Sequence, residues 1–167
     1  MEKTKIPTFN IAVLPGDGIG IEIMEACTRV LEVVQEVNGG FRLLLKTLDA
    51  GASYYQATGE DISKESFEKT CASDAILLGA MGLPNIRYPD GTEIAPHLRM
   101  RKELGLFAGV RPVKSYPKLP NTLADSRAKG IDIVILREST EGLFAHAKSG
   151  VVENDRIARD VLEITRP

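Results

Sequence analysis

Three arginines carry the most legible chemistry in this sequence. Arg101, Arg111 and Arg137 each stand at or beside an apolar segment, in LRMRKELGLF, AGVRPVK and IVILREST. A guanidinium in such a place is costly unless it meets an anion, and its planar fork matches a carboxylate through two parallel hydrogen bonds. Any one of them is also explained by an ion pair with a protein acid such as Glu103 or Glu138. Three together point to a small substrate with more than one carboxylate.

A second group is the glycine turn Gly16-Asp17-Gly18-Ile19-Gly20. Glycines between a strand and a helix let a backbone approach a phosphate at the helix N-terminus, and equally they permit a tight turn and nothing more. Their spacing is not that of a dinucleotide fingerprint, because the third glycine is out of place. Asp17 would repel a phosphate. Its carboxylate suits capping of the helix through free N–H groups, or contact with a hydroxyl.

These residues need strands and helices to hold them. Phe9 to Leu14 reads as a short apolar strand, and Ile21 to Val37 as a helix with Ile23, Ala26, Cys27, Val30 and Val34 at helical spacing. Arg42 to Leu48 follows as a strand, Ile62 to Ala72 as a helix opening at Asp61 or Ser63, and Ala75 to Leu78 as a third strand. That alternation implies an α/β fold with a parallel sheet and right-handed crossovers. Residues 79 to 96, rich in Gly, Pro, Asn and Asp, are too long for a simple connection, and loops of that length are usually functional. A short helix follows at Pro96 to Leu104, then a buried strand at Ile131 to Leu136 and a last helix at Asp155 to Thr165.

Composition excludes several classes. The 167 residues are 43% hydrophobic and 26% charged, as in an ordinary globular protein, so neither disorder nor a membrane class is indicated. The net charge of −2, with both signs interspersed, gives no general attraction to nucleic acid or an anionic membrane. Any bound anion must therefore be gripped locally. Cys27 and Cys71 lie on predicted helices with no second cysteine nearby, which suggests buried thiols in a reducing cytoplasm. The N-terminal segment has no apolar signal core, and no stretch reaches membrane-spanning length.

Four blocks, VLPGDGIGIE, LLGAMGLP, LRMRKELGLFAGVRPVKSYP and ILRESTEGLFA, occur in an order and at intervals that resemble the isocitrate and isopropylmalate dehydrogenases, the metal-dependent β-decarboxylating dehydrogenases. The resemblance runs from about Ile11 to Pro167. It implies an isopropylmalate dehydrogenase-like fold rather than a Rossmann fold, incomplete here, with 1–105 the first part of a larger α/β domain and 106–167 the first part of a dimer-forming domain. It implies oxidation of a malate-type 2-hydroxy acid by NAD or NADP, with loss of carbon dioxide and with Mg or Mn on the substrate oxygens. Arg101, Arg111 and Arg137 match arginines that hold substrate carboxylates. Ile19 and the loop at Gly82, Leu83 and Pro84 match positions beside the cofactor, although a structural turn also accounts for that loop. The partners implied are a hydroxy-dicarboxylate or tricarboxylate and a second copy in a homodimer.

The sequence also departs from the family. Ile21 stands where a proline is usual. Ala95, His97 and Arg99 occupy the substrate side of Arg101, where one branch has leucines for an isopropyl group and the other a serine and an asparagine for a third carboxylate. His97 is thus a candidate substrate contact or a solvated helix residue. Phe144 stands where the family has a tyrosine that helps protonate the enol after decarboxylation, and phenylalanine has no proton to give. If Gly142 to Ala147 is a strand, His146 shares a face with Phe144 and becomes a replacement donor; otherwise it is an exposed loop histidine. The family's lysine base, metal-binding aspartates and adenosine loop have no counterpart here, and Asp155 and Asp160, five apart, do not share a helical face. The expectation is the N-terminal portion of such an enzyme, inactive alone, with a non-catalytic carboxylate-binding or regulatory module as the alternative.

Overall fold

The computed structural model describes residues 6–120, 123–145 and 150–165. The chain divides into two compact units, Met1–Arg99 and Met100–Pro167.

The first unit is built on a three-stranded parallel sheet in the order β2-β1-β3, with β1 at Thr8–Leu14, β2 at Arg42–Thr47 and β3 at Ala75–Leu78. Ile11 lies opposite both Leu45 and Ala75, so β1 is hydrogen-bonded on both edges. Its apolar end is accordingly the core: Ala12, Val13 and Leu14 are at most 1% exposed. Helix α1, Ile19–Asn38, follows β1, and Gln35 pins it to β2 by accepting the Leu43 N–H at 2.9 Å. Gly39 ends it in the left-handed conformation, donating its N–H to the Gln35 carbonyl.

The face that α1 buries is not the one its spacing first suggests. Gly20 and Met24 are buried and Cys27, Thr28 and Leu31 half-buried, while Ile23, Val30 and Val34 are exposed. The helix carries apolar residues on two adjoining stripes, so periodicity leaves the choice between them to packing. Neither Cys27 nor Cys71 forms a disulfide, and both are half-buried rather than fully buried.

A short helix absent from the sequence reading, α2 at Ala52–Thr58, lies between Gly51 and Gly59. Helix α3, Lys64–Cys71, starts at the second of the two candidate caps: Ser63 Oγ accepts the Ser66 N–H at 3.0 Å. The long loop after β3 is tied down. The Tyr88 hydroxyl donates to Asp61 at 2.9 Å, Tyr88 meets Tyr55 edge to face, and Ile94 is fully buried. Helix α4, Pro96–Glu103, follows it.

The second unit holds an antiparallel ribbon of β4, Ala108–Lys114, and β5, Asp132–Glu138, in register from Ala108 opposite Glu138 to Lys114 opposite Asp132. Contrary to the expectation of a buried strand, β5 is exposed on both faces, with Leu136 at 72%. A two-stranded ribbon can cover its own apolar side chains only at their edges.

A short hairpin closes the described chain, β6 at Val151–Glu153 against β7 at Ile157–Arg159. It replaces the helix expected at Asp155 to Thr165. Asn154 and Asp155, at φ of 51° and 54°, are the central residues of a turn within the three-residue connection 154–156, in which the Arg156 N–H donates to the Glu153 carbonyl. Two left-handed central residues make the primed turn that matches strand twist, and Asn-Asp between β-branched runs is its sequence signal.

Candidate functional site

The register of β4 and β5 brings two of the three arginines together. Gly109 faces Arg137 and Arg111 faces Ile135, so Arg111 and Arg137 project from one side of the ribbon as diagonal neighbours. Diagonal positions on an antiparallel pair are roughly 7–8 Å apart at the backbone, within reach of long side chains. Gly109 keeps the space beside Arg137 open, because a Cβ there would stand 3.6 Å from that of Arg137 and 3.2 Å from its carbonyl oxygen.

Among the described residues neither guanidinium pairs with a carboxylate, and neither does that of Arg101. The neighbouring acid Glu138 is engaged elsewhere. Its carboxylate accepts the Thr140 N–H and hydroxyl, both at 2.7 Å, and the Glu141 N–H at 2.6 Å. The Thr140 side chain chiefly, opposed by slight burial, holds the Glu138 carboxyl below its ordinary value. The ion-pair alternative for the arginines is therefore not what the ribbon contains.

Phe144 completes this group: the Arg137 guanidinium carbon lies 5.1 Å from the centre of its ring. Over the described part of the strand expected at Gly142 to Ala147, residues 142 to 145, no strand is formed. Gly142, at φ 65°, bridges to Glu163, and Leu143 to Ala145 make a turn in which the Phe144 N–H reaches the Glu141 carbonyl. Strand alternation accordingly gives no placement for a partner of Phe144, and His146 lies outside the described residues. Arg101 sits half-buried in the last turn of α4. A hollow of about 730 Å³ in this unit, lined by residues 113–120 with Leu123, Lys129 and Ile131, contains none of the arginines.

In the first unit the glycine turn and the loop after β3 meet. A Cβ on Gly16 would stand 2.0 Å from the Ala80 oxygen, and one on Gly20 2.4 Å from the Pro15 oxygen, so both glycines serve close backbone packing. Gly18, at φ 52°, begins α1 and leaves Leu83 at ordinary contact distance, 3.7 Å. Ile19 is 64% exposed beside it, Gly82 and Leu83 are half-buried, and Pro84 is exposed. His97 is half-buried on α4, whereas Arg99 lies 4.5 Å over the Phe67 ring with Asp61 at 3.9 Å.

Asp17 does not cap the helix it precedes. Its carboxylate accepts the N–H groups of Ala52 and Ser53, both at 2.7 Å, at the start of α2, and that of Gly82 at 2.8 Å. These donors lie 35, 36 and 65 residues away. No local spacing reveals them. Burial pushes the carboxyl up, but the N–H groups of Ser53, Gly82 and Ala52 outweigh it and hold the group below its ordinary value of 3.8.

A depressed folded value means the unfolded chain binds this proton first as pH falls. The stabilisation from Asp17 is full above about pH 4 and disappears as pH drops through the lower folded value. Urea unfolding between pH 6 and pH 2 should therefore show a fall in midpoint for the wild type that is smaller in Asp17→Asn. Parallel pH curves for the two proteins would refute this.

Comparison with known proteins adds four findings. The family model described as isocitrate/isopropylmalate dehydrogenase matches residues 10–167. The 3-isopropylmalate dehydrogenase of Heyndrickxia coagulans is 41% identical over 166 residues, covering 95% of this chain and 44% of the relative. That of Xanthomonas oryzae pv. oryzae is 40% identical over 140 residues, covering 80% and 38%. In structure, the apo β-decarboxylating dehydrogenase of Thermococcus kodakarensis matches with a TM-score of 0.65 and 35% identity, over 94% of this chain and 41% of that one. The chain spans less than half the length of the relatives it matches.

Proposed function

The chain belongs to the isocitrate/isopropylmalate dehydrogenase family and has its α/β fold of parallel β-α units, and on that premise we propose that it is the N-terminal part of an NAD(P)- and divalent-metal-dependent dehydrogenase that oxidatively decarboxylates a malate-type 2-hydroxy acid. The observation that carries this reading is the pair Arg111 and Arg137 on one face of the ribbon, both without a carboxylate partner among the described residues. Two guanidiniums so placed suit a substrate with two carboxylates, and Arg101 supplies a third contact. Holding both ends of a small acid fixes which hydrogen faces the hydride acceptor, and that positioning lowers the barrier.

Ile19, Gly82, Leu83 and Pro84 would hold the nicotinamide nucleotide. Their fit rests on an exposed isoleucine beside a half-buried leucine, with open backbone at Gly18 and Gly82. The bound nucleotide supplies the hydride acceptor. The metal finds no such fit: among the described residues no three His, Cys, Asp or Glu are grouped to hold an ion. Its ligands on this reading come from residues other than these, as does the general base. The same reading assigns residues 1–105 to the larger domain, residues 106–167 to the dimer-forming one, His97 to the substrate side, and the enzyme to the cytoplasm.

The test is an assay of the verified 167-residue chain beside the complete enzyme, with 3-isopropylmalate, isocitrate, tartrate and malate, with Mg or Mn and either nucleotide. The complete enzyme should reduce the nucleotide with one of them, and the 167-residue chain with none. Metal-dependent NADH formation by the short chain would overturn its assignment as a part. No turnover by the complete enzyme, with carboxylate binding retained, would favour a non-catalytic module.

A further inference from the structure

We propose that Asp17 is the positioning residue that sets the shape of the Gly82–Pro84 loop for the nicotinamide nucleotide. The inference rests on the reading above that this loop contacts the cofactor.

Asp17 is 2% exposed and is the junction of three segments. Its own N–H donates to the Ala80 carbonyl at 2.7 Å, and its Oδ2 accepts the Gly82 N–H at 2.8 Å. The loop is thus stapled at two points, two residues apart, to one side chain and its backbone. The second staple falls on Gly82 itself, at φ 100°, a conformation open to glycine and strained for any residue that carries a Cβ. The other anchor of the carboxylate is the start of α2, through Ala52 on Oδ2 and Ser53 on Oδ1. Gly51 makes room for this approach, because a Cβ there would stand 2.4 Å from Oδ2.

Every backbone group that reaches this carboxylate is a donor, so the position demands a side chain that only accepts. Asparagine presents an NH₂ to one of the N–H groups and leaves it unsatisfied. Serine is too short to reach both segments. The loop geometry is therefore coupled to the ionised carboxylate, and through it to the rigid start of α2.

The test titrates NADH and NADPH into the complete enzyme, following nucleotide fluorescence, with thermal unfolding measured in parallel. Four proteins are compared: wild type, Asp17→Asn, Ser53→Pro and Gly82→Ala. Asp17→Asn should raise the nucleotide Kd and KM about tenfold, as for loss of one hydrogen bond to a charged group, and leave the KM for the hydroxy acid within about twofold. Ser53→Pro removes one of the two helix-side N–H donors and leaves that of Ala52, in a first turn that tolerates proline, and should lower Tm without changing the nucleotide Kd. Gly82→Ala forces a Cβ onto the positive φ and should weaken nucleotide binding with Asp17 intact.

If Asp17→Asn keeps the wild-type Kd while Gly82→Ala raises it, the loop contacts the cofactor and the positioning role is wrong. If Gly82→Ala leaves Kd unchanged, the cofactor reading of the loop fails and the inference fails with it. Should Asp17→Asn not fold, Asp17→Glu, which moves the acceptor by one methylene, is read against the same two outcomes.

Discussion

Arg111→Lys should lower kcat/KM of the complete enzyme by about 30- to 1,000-fold, a loss of about 2–4 kcal/mol in transition-state binding. Lysine keeps the charge but presents it as a point on a flexible stem. The guanidinium offers a planar pair of donors that fixes the angle of a carboxylate as well as its distance. Arg111 is exposed and makes no ion pair among the described residues, so the fold should not register its loss. Tm should therefore stay within the range usual for a surface substitution. Steady-state kinetics with both substrates varied, and a melting curve for each protein, decide the matter. Unchanged kcat and KM would make Arg111 a solvated strand residue.

In the protein with His146→Ala, formation of the decarboxylated keto acid should fall by about 10²-fold if His146 supplies the proton that the family takes from a tyrosine. Nucleotide reduction should fall less, because hydride transfer precedes that step. Phe144→Tyr in the same background should restore part of the loss. The placement of Phe144 motivates the rescue: its ring lies under the Arg137 guanidinium, so a hydroxyl added to that ring stands beside a proposed substrate ligand. Tyrosine also keeps the cation–π contact, which limits disturbance of the arginine. Assays that follow NADH and the keto acid separately distinguish proton transfer from oxidation. Equal keto acid formation by wild type and His146→Ala would reject His146 as the donor.

The three strands of the first unit and its helices α1 and α3 were readable because each carries its own short-range pattern, whereas the seven-residue α2 was not. Ala75–Leu78 coincides with the strand expected there, and Ser63 was one of two proposed caps for α3. The arginines could be singled out by type and setting alone, since an isolated guanidinium beside apolar residues is unusual whatever the fold. The primed turn at Asn154 and Asp155 was equally present in the sequence, but a helical reading of residues 155 to 165 obscured it.

Other features had no local signal. The stripe of α1 that turns inward was decided by packing, with Gly20 against the backbone of Pro15 and Ala80 and Gln35 holding Leu43 of β2. Placing Arg111 and Arg137 on one face required the register of β4 and β5, strands separated by the segment from Ser115 to Ile131. The partners of Asp17 lie as far away as Gly82, and a carboxylate can satisfy nearby or distant donors equally well until the chain has folded. Sequence by itself thus determined the three strands of the first unit, its helices α1 and α3, and which side chains carry chemistry, because steric and hydrophobic preferences act over a few residues. Tertiary structure alone decided which of those side chains meet, because that depends on contacts between segments whose local patterns admit more than one arrangement.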